Sequence, residues 1–235
     1  MSLTAQSAVP GPVLARTAES MERYMDFIRG RTALTRVPLV PEIELYQATE
    51  MTELWRATAA DLERWDDSPF WAFPWAGGQA LARHVLDNPD VVAGLRVADF
   101  GTGSGLVAIA ASMAGASRVV AYDVDPFCEA AVRLNTAHNG VVVDFQARSP
   151  LGEDLPDVDV VLAGDVFYQR DMAERFLVWG RALAGRGVRV LAGDPGRLYS
   201  PQEGVRDRGA HDVPTSTAIE ERVLMKTWII ELLPE

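Results

Sequence analysis

Asp99, the alternating glycines Gly101, Gly103 and Gly105, and Asp123 are the residues whose types and spacing point to chemistry. They sit in Val97-Ala-Asp-Phe-Gly-Thr-Gly-Ser-Gly-Leu106, an apolar strand that opens into three glycines and then into a helix-forming run, Leu106 to Met113. Glycine lets a backbone approach a ligand where a Cβ would collide, and it tolerates φ > 0. The helix that follows presents unpaired N–H groups at its start. Such a junction is suited to holding a nucleotide-like cofactor. Two cofactors fit. Gly103-Ser-Gly-Leu-Val-Ala108 satisfies the G-x-G-x-x-A form of the dinucleotide fingerprint, and Asp123 lies at the distance expected of a ribose-binding acid, which suggests NAD and an oxidoreductase. The other is S-adenosylmethionine, which has a ribose but no phosphate. Asp99 favours the second. An acid beside the glycines repels a pyrophosphate and attracts a cationic amino group; opposite charges about 4 Å apart gain roughly 4 kcal/mol at an effective dielectric of about 20.

Four predicted strand ends share one rim, and two of them bring further groups to it. The fourth strand delivers Gly164-Asp165-Val166-Phe167-Tyr168, and the fifth Gly193-Asp194-Pro195-Gly196-Arg197. Asp165 and Tyr168 are the candidates for the reacting end. Methyl transfer is an in-line displacement, so much of its rate comes from positioning. A lysine acceptor, with a pKa of ~10.4, must also be neutral, at a cost of roughly 4–5 kcal/mol at pH 7. A carboxylate opposes that deprotonation. Asp165 is therefore read as an aligner of the amine rather than its base, and as a contributor to the cofactor pocket. Upstream, Trp75, Gly77 and Gly78 could line the cofactor's methionine end, with Trp71 and Phe73 as a hydrophobic lid. Asp125, before Pro126, is read as a helix N-cap. The three histidines have no metal-ligand spacing, so no metal is expected.

The elements that must position these groups are legible from periodicity. Residues 1–16 show no period and are read as a mobile tail. Met21, Tyr24, Met25 and Ile28 recur at helical spacing, with Gly30 as a stop. Ile43 and Leu45 mark a short strand, and 54–65 a helix with Leu54, Trp55, Ala59 and Leu62 on its packing face. Helices are expected over 79–86, 106–113, 126–138 and 171–183. Strands are expected over 95–100, 118–123, 141–145, 158–163 and 188–192, with two late strands over 213–219 and 222–232. This alternation implies a doubly wound α/β sheet, with ligands beyond the carboxyl ends of its strands.

Bulk properties narrow the class. The chain has 235 residues, net charge −11 and a single lysine, Lys226. Scattered arginines on an acidic protein do not suit a nucleic acid, whereas a cationic protein surface does. No apolar run approaches the ~20 residues of a membrane span. One cysteine, Cys128, suits a reducing cytoplasm.

The Asp99-x-Gly101-x-Gly103-x-Gly105 motif and Asp123 resemble those of the class I S-adenosylmethionine-dependent methyltransferases. Trp71-Ala-x-x-Trp75-x-Gly-Gly-Gln-Ala-Leu81, Leu86-Asp-Asn-Pro-Asp-Val-Val92, Gly115-Ala-Ser-Arg118, Gly164-Asp-x-Phe-Tyr168 and Gly193-Asp-Pro-Gly-Arg197 extend the likeness to the protein-lysine methyltransferases. The resemblance implies a Rossmann-like sheet of seven strands, the last antiparallel, in a methyltransferase domain over 35–235 preceded by a tail and helix over 1–34. It also implies a lysine-bearing protein as acceptor, the beta subunit of electron transfer flavoprotein being the expected one. In that group Asp-x-x-Tyr lies on the substrate side. Arg148 and Ser149 occupy the region where the adenine contact falls. The ribosomal protein L11 methyltransferases resemble 97–140 nearly as well but lack Asp-x-x-Tyr after the fourth strand.

Overall fold

The computed structural model describes residues 17–48, 54, 69–216, 220 and 222–235. The tail expected over 1–16 and the helix expected over 54–65, with Trp55, Ala59 and Leu62, lie outside the described residues except for Leu54, which is buried. No helix among the described residues is long and apolar enough to cross a membrane.

Among the described residues, nine strands and five complete α-helices follow one another along the chain. Helix α1 (Ala18–Arg31) is followed by a hairpin of β1 (Ala33–Val37) and β2 (Val40–Gln47). Then come α2 (Ala76–Asp87), β3 (Arg96–Phe100), α3 (Leu106–Met113), β4 (Arg118–Tyr122), α4 (Pro126–Asn139) and β5 (Asp144–Gln146). The chain closes with β6 (Val160–Gly164), α5 (Arg170–Gly185), β7 (Arg189–Asp194), β8 (Val205–Pro214) and β9 (Leu224–Leu232). The last seven strands form one sheet in the order β5-β4-β3-β6-β7-β9-β8. Only β9 runs against its neighbours, pairing antiparallel with β7 and with β8. The expected antiparallel last strand is thus present, inserted between β7 and the edge strand β8.

The central strand β3 is buried on both faces along Val97–Phe100, as a parallel strand covered by helices requires. On one face Phe100, Val161, Phe176, Trp179 and Leu183 form a core beneath α5. On the other, Leu81, Val97, Ala108 and Leu162 pack beneath α2 and α3. Helix α1 seats on α4 through Tyr24 and Phe127, whose rings meet edge-on at 4.7 Å.

Four elements differ from the sequence expectation, each for a local reason. Gly30 lies inside α1; the helix ends one residue later, where Thr32 returns its backbone N–H and its hydroxyl to the Ile28 carbonyl. The strand expected from Val141 begins at Asp144, because Gly140 adopts φ 67° and the Val141 N–H is spent on the Thr136 carbonyl at the end of α4. β1 went unread: four of its five residues are exposed, so it carries no apolar alternation. β8 runs from Val205 to Pro214, not from 213 to 219; its Arg-Asp-Arg stretch is an exposed edge without hydrophobic period, and residues 217–219 lie outside the description. By contrast Asp125 caps α4 as expected, its Oδ1 accepting from the Phe127 N–H at 2.9 Å.

The start of α2 lies against the carboxyl ends of β6 and β7 with backbone touching backbone. A Cβ on Gly193 would collide with the Gly77 carbonyl, and one on Gly164 would come within 2.8 Å of the Gly78 Cα. A Cβ on Gly78 would meet only the Leu106 Cδ2, at an ordinary 3.9 Å. We expect Gly193→Ala to destabilise the fold by about 1–3 kcal/mol through overpacking, and Gly78→Ala to be neutral or stabilising by up to about 1 kcal/mol through helix propensity. Thermal or urea unfolding of the two variants checks the contrast.

Candidate active site

A cavity of about 470 Å³ opens at the carboxyl ends of β3, β4 and β6, where a doubly wound sheet places its ligands. Gly101, Gly103, Tyr122, Asp123, Asp125 and Cys128 line one side. Phe70, Trp71, Trp75, Gly164, Asp165, Tyr168 and Arg197 line the other, and Arg148, Ser149 and Pro150 the far end. A wider, shallow cleft of about 640 Å³ lies between the hairpin and α4, away from the strand ends, around a Glu44–His138 contact of 2.8 Å.

The sequence-predicted residues divide into those that face the cavity and those that stand behind it. Asp123 faces it. Its Oδ2 accepts from the Gly103 N–H at 3.0 Å, and its Oδ1 from the N–H groups of Val124 and Asp125 at 2.8 and 3.1 Å. The carboxylate therefore shapes the glycine loop while keeping an edge toward the pocket. Gly101 and Gly103 have φ of 64° and 53°, a left-handed path that glycine takes without strain.

Asp99 does not face the cavity. It is 1% exposed, and its Oδ2 accepts from the Thr102 hydroxyl at 2.5 Å and the Ala108 N–H at 3.1 Å. The expectation that it meets a ligand's ammonium directly is corrected: its carboxylate is seated on the first turn of α3. Discrimination against a pyrophosphate survives in another form. The Ala108 amide, one of the helix-start donors that a phosphate would use, is already taken by Asp99, and the Gly103 amide by Asp123. Gly105 also stands behind the loop, as the residue before α3, with φ 86°. Gly78 packs on Gly164 rather than lining the cavity.

The acceptor side is built from distant segments. Asp165 follows Gly164 in a left-handed conformation, φ 57°, which is uncommon outside glycine. Its backbone N–H donates to the Gly193 carbonyl at 3.0 Å. Its Oδ2 accepts from the Gly77 N–H at the start of α2, and its Oδ1 from the Arg197 Nε at 2.8 Å. Arg197 in turn forks onto Glu220, Nη1 to Oε2 at 3.0 Å and Nη2 to Oε1 at 2.8 Å. Tyr168 is half-exposed at the mouth, its ring 5.8 Å from that of Phe70. Phe70 meets Trp75 edge-on at 5.6 Å, and the Trp75 indole N–H donates to the Phe70 carbonyl at 2.8 Å. Trp71 is buried and stacks on Phe127.

Arg197 reaches the rim as expected, but its partners are not legible in the sequence, and neither Phe70 nor Glu220 is singled out there. Glu220 had no sequence signal, because its partners Arg197 and Ala76 are 23 and 144 positions back and its segment has no period. Arg148, noted in the adenine region, lies with its guanidinium 5.2 Å from the Tyr122 ring centre.

Burial dominates the acid–base properties. It pushes the Asp99 carboxyl up to about 7, against the Thr102 and Ala108 hydrogen bonds, and Asp123 adds to the rise. It pushes Asp165 up to about 6, opposed chiefly by Arg197. Burial works against the Arg197 charge, but Glu220 and Asp165 outweigh it and raise its pKa above the ordinary value. The Tyr168 phenol is held above its usual range by burial and by Asp123, so it stays protonated at neutral pH.

The strand order, with its single reversed strand inserted beside β7, and the glycine loop beneath an acid-lined cavity define a class I methyltransferase. Known proteins resemble this chain over much of its length. The ribosomal protein L11 methyltransferase (PrmA) family matches residues 80–165. A Xenopus laevis protein named electron transfer flavoprotein beta subunit lysine methyltransferase is 42% identical over 185 residues, covering 77% of this chain and 73% of its own. Its Homo sapiens counterpart is 42% identical over 162 residues, 68% of this chain and 61% of its own length. Among solved structures, a ribosomal protein L11 methylase from Lactobacillus delbrueckii aligns at 23% identity over 65% of this chain and 77% of its own, with a TM-score of 0.46. The chain belongs to the electron transfer flavoprotein beta subunit lysine methyltransferase family.

Because the folded state holds the Asp99 proton more tightly than the unfolded chain, this group's contribution to stability is complete below about pH 4 and is lost as pH rises toward 7. Asp99→Asn keeps an oxygen for both Thr102 and Ala108 but cannot ionise. We expect the ligand-free variant to lose less stability than the parent between pH 5 and 8, measured as the midpoint of thermal unfolding against pH. An equal slope for the two proteins would show that Asp99 titrates normally.

Proposed function

We propose that this chain transfers methyl groups from S-adenosylmethionine to lysine side chains of a protein, with the electron transfer flavoprotein beta subunit as acceptor. The carrying observation is the Gly164–Tyr168 turn at the cavity mouth, in a chain that shares 42% identity over 185 residues with a relative of that name. When bound, S-adenosylmethionine would supply an electrophilic methyl group on its sulfonium sulfur; the acceptor ammonium would first lose a proton to water, and its lone pair would then form the C–N bond as the C–S electron pair left with sulfur.

The residues fit a nucleoside carrying a small cationic tail. Gly101 and Gly103 admit it close to the backbone, and Asp123 accepts from the ribose hydroxyls. Asp99 and Gly105 hold the loop from behind, and Gly78 holds the wall that carries Gly164. Trp75 flanks the methionine end, and Arg148 and Ser149 lie toward the base. Asp165 and Tyr168 align the acceptor amine, the catalytic contribution being placement. The phenol offers a hydrogen-bond donor, and the Phe70, Trp75 and Tyr168 rings offer faces for the aliphatic stem and charge of a lysine. The acidic surface, net −11, favours a basic protein partner over nucleic acid. Residues 35–235 form the methyltransferase domain in this reading, with α1 as an addition seated on α4. The single thiol, Cys128, fits a reducing cytoplasm.

A second reading, methylation of ribosomal protein L11, draws on the family match over 80–165. That match ends at Asp165, where the Asp-x-x-Tyr turn begins.

Two measurements test the proposal. S-adenosylhomocysteine at 100 times its Kd should stabilise the fold by about 2.7 kcal/mol, and Asp123→Ala should weaken its binding roughly 10–100-fold, the loss of a charged hydrogen-bond acceptor; stabilisation by NADH instead would overturn the cofactor. Radiolabelled S-adenosylmethionine should label lysines of the purified flavoprotein beta subunit. Label in L11 alone would establish the second reading.

A further inference from the structure

The cavity mouth holds an ion cluster that methyl transfer, as described, does not use. Asp165 lies between the Gly77 N–H and the Arg197 guanidinium. The Arg197 Nη2 is 2.6 Å from the Asp165 Oδ1 and 2.8 Å from the Glu220 Oε1. Its backbone N–H is fixed by the Asp194 Oδ1 at 3.1 Å. Asp165 and Arg197 line the cavity; Glu220, its side chain 4% exposed, sits behind Arg197. The Glu220 Oε1 also faces the Ala76 N–H at 3.5 Å. Two carboxylates from separate segments thus share one guanidinium and one helix start.

A bare carboxylate beside a lysine amine would hold it as ammonium, and ammonium has no lone pair with which to attack. We propose that Arg197, clamped by Glu220, is a positioning residue that supplies Asp165 with a standing countercharge, so that Asp165 accepts a hydrogen bond from an uncharged acceptor amine instead of trapping it as ammonium. Arg suits the role because its planar fork binds one carboxylate with two donors while presenting another nitrogen to the second. The other groups facing this point are few. Just after β4 there is Asp123, across the cavity, and from the 165–168 turn Tyr168, on the same wall; Cys128 on α4 lies near Tyr168. Asp194 reaches only the Arg197 backbone. None replaces the guanidinium as a cation beside Asp165. The inference rests on the lysine-methylation reading.

The sign of a pH shift tests it. The kcat/KM for methyl transfer to the flavoprotein beta subunit is measured from pH 6.5 to 10.5 for the parent, Arg197→Met, Arg197→Lys and Glu220→Gln, with S-adenosylhomocysteine binding followed by calorimetry as a check on the folded pocket. Arg197→Met should move the ascending limb up by about 1–3 pH units, as for removal of an opposite charge within a few ångströms. Arg197→Lys should return the limb most of the way while leaving the rate low, since an ammonium cannot fork. Glu220→Gln leaves Arg197 answering to Asp165 alone and should move the limb down. If Arg197→Met no longer binds S-adenosylhomocysteine, the opposite positions of the Lys and Gln variants decide. Lowered rates with every limb at the parental pH would overturn the inference while leaving the lysine reading intact. A parent enzyme that labels no lysine would overturn the reading and the inference together.

Discussion

Carboxylates seated on helix-start amides hold this site together. Asp99 takes the Ala108 N–H at the start of α3. Asp125 takes the Phe127 N–H at the start of α4. Asp165 takes the Gly77 N–H at the start of α2, and Glu220 faces the adjoining Ala76 N–H. Each acid satisfies a donor that a helix leaves unpaired and sits where the helix dipole favours negative charge. The arrangement explains how an interior this apolar tolerates buried acids: a buried charge is costly unless it is paired and hydrogen-bonded. The cavity is the space left between these anchored helix starts and the ends of β3, β4 and β6.

This anchoring also sorts the acids by role. Asp99 and Glu220 stay off the cavity wall, whereas Asp123 and Asp165, hydrogen-bonded as they are, line it. Cofactor discrimination follows from what the anchors already occupy: with Asp99 on one amide and Asp123 on another, the loop that resembles a dinucleotide fingerprint has few donors left for a pyrophosphate. The aromatic rim of Phe70, Trp75 and Tyr168 then supplies the outer surface, apolar faces with one phenol, suited to a long aliphatic chain ending in nitrogen.

Much of the fold was legible. The buried strands β3, β4, β6 and β7 read as short apolar runs, and α4 declared both ends through Asp125-Pro126 and Asn139-Gly140. The elements that escaped share one property, the lack of a hydrophobic period: β1 and β8 are exposed edges whose pairing is set by a neighbour rather than by their own side chains. The late start of β5 came from a helix-end hydrogen bond at Val141 that competes with strand extension. In the site, the glycine loop and Asp123 were visible because they lie within one strand–loop–helix unit and its neighbouring strand.

By itself, the sequence determined the α/β alternation, the glycine junction, the Asp-x-x-Tyr turn and the family. These depend on local periodicity, turn chemistry and short spacings, which a linear chain displays directly. Only the tertiary structure decided that Asp99 faces inward, that Gly77 and Gly193 are needed for backbone contact, and that Asp165, Arg197 and Glu220 share one charge cluster. The charge cluster and its Gly77 contact join residues 88, 32 and 23 positions apart, and even Asp99, whose partners lie 3 and 9 positions on, shows its direction only once the helix start is in place. Which way a carboxylate turns there depends on the donors that packing brings to it, and no spacing along the chain encodes that.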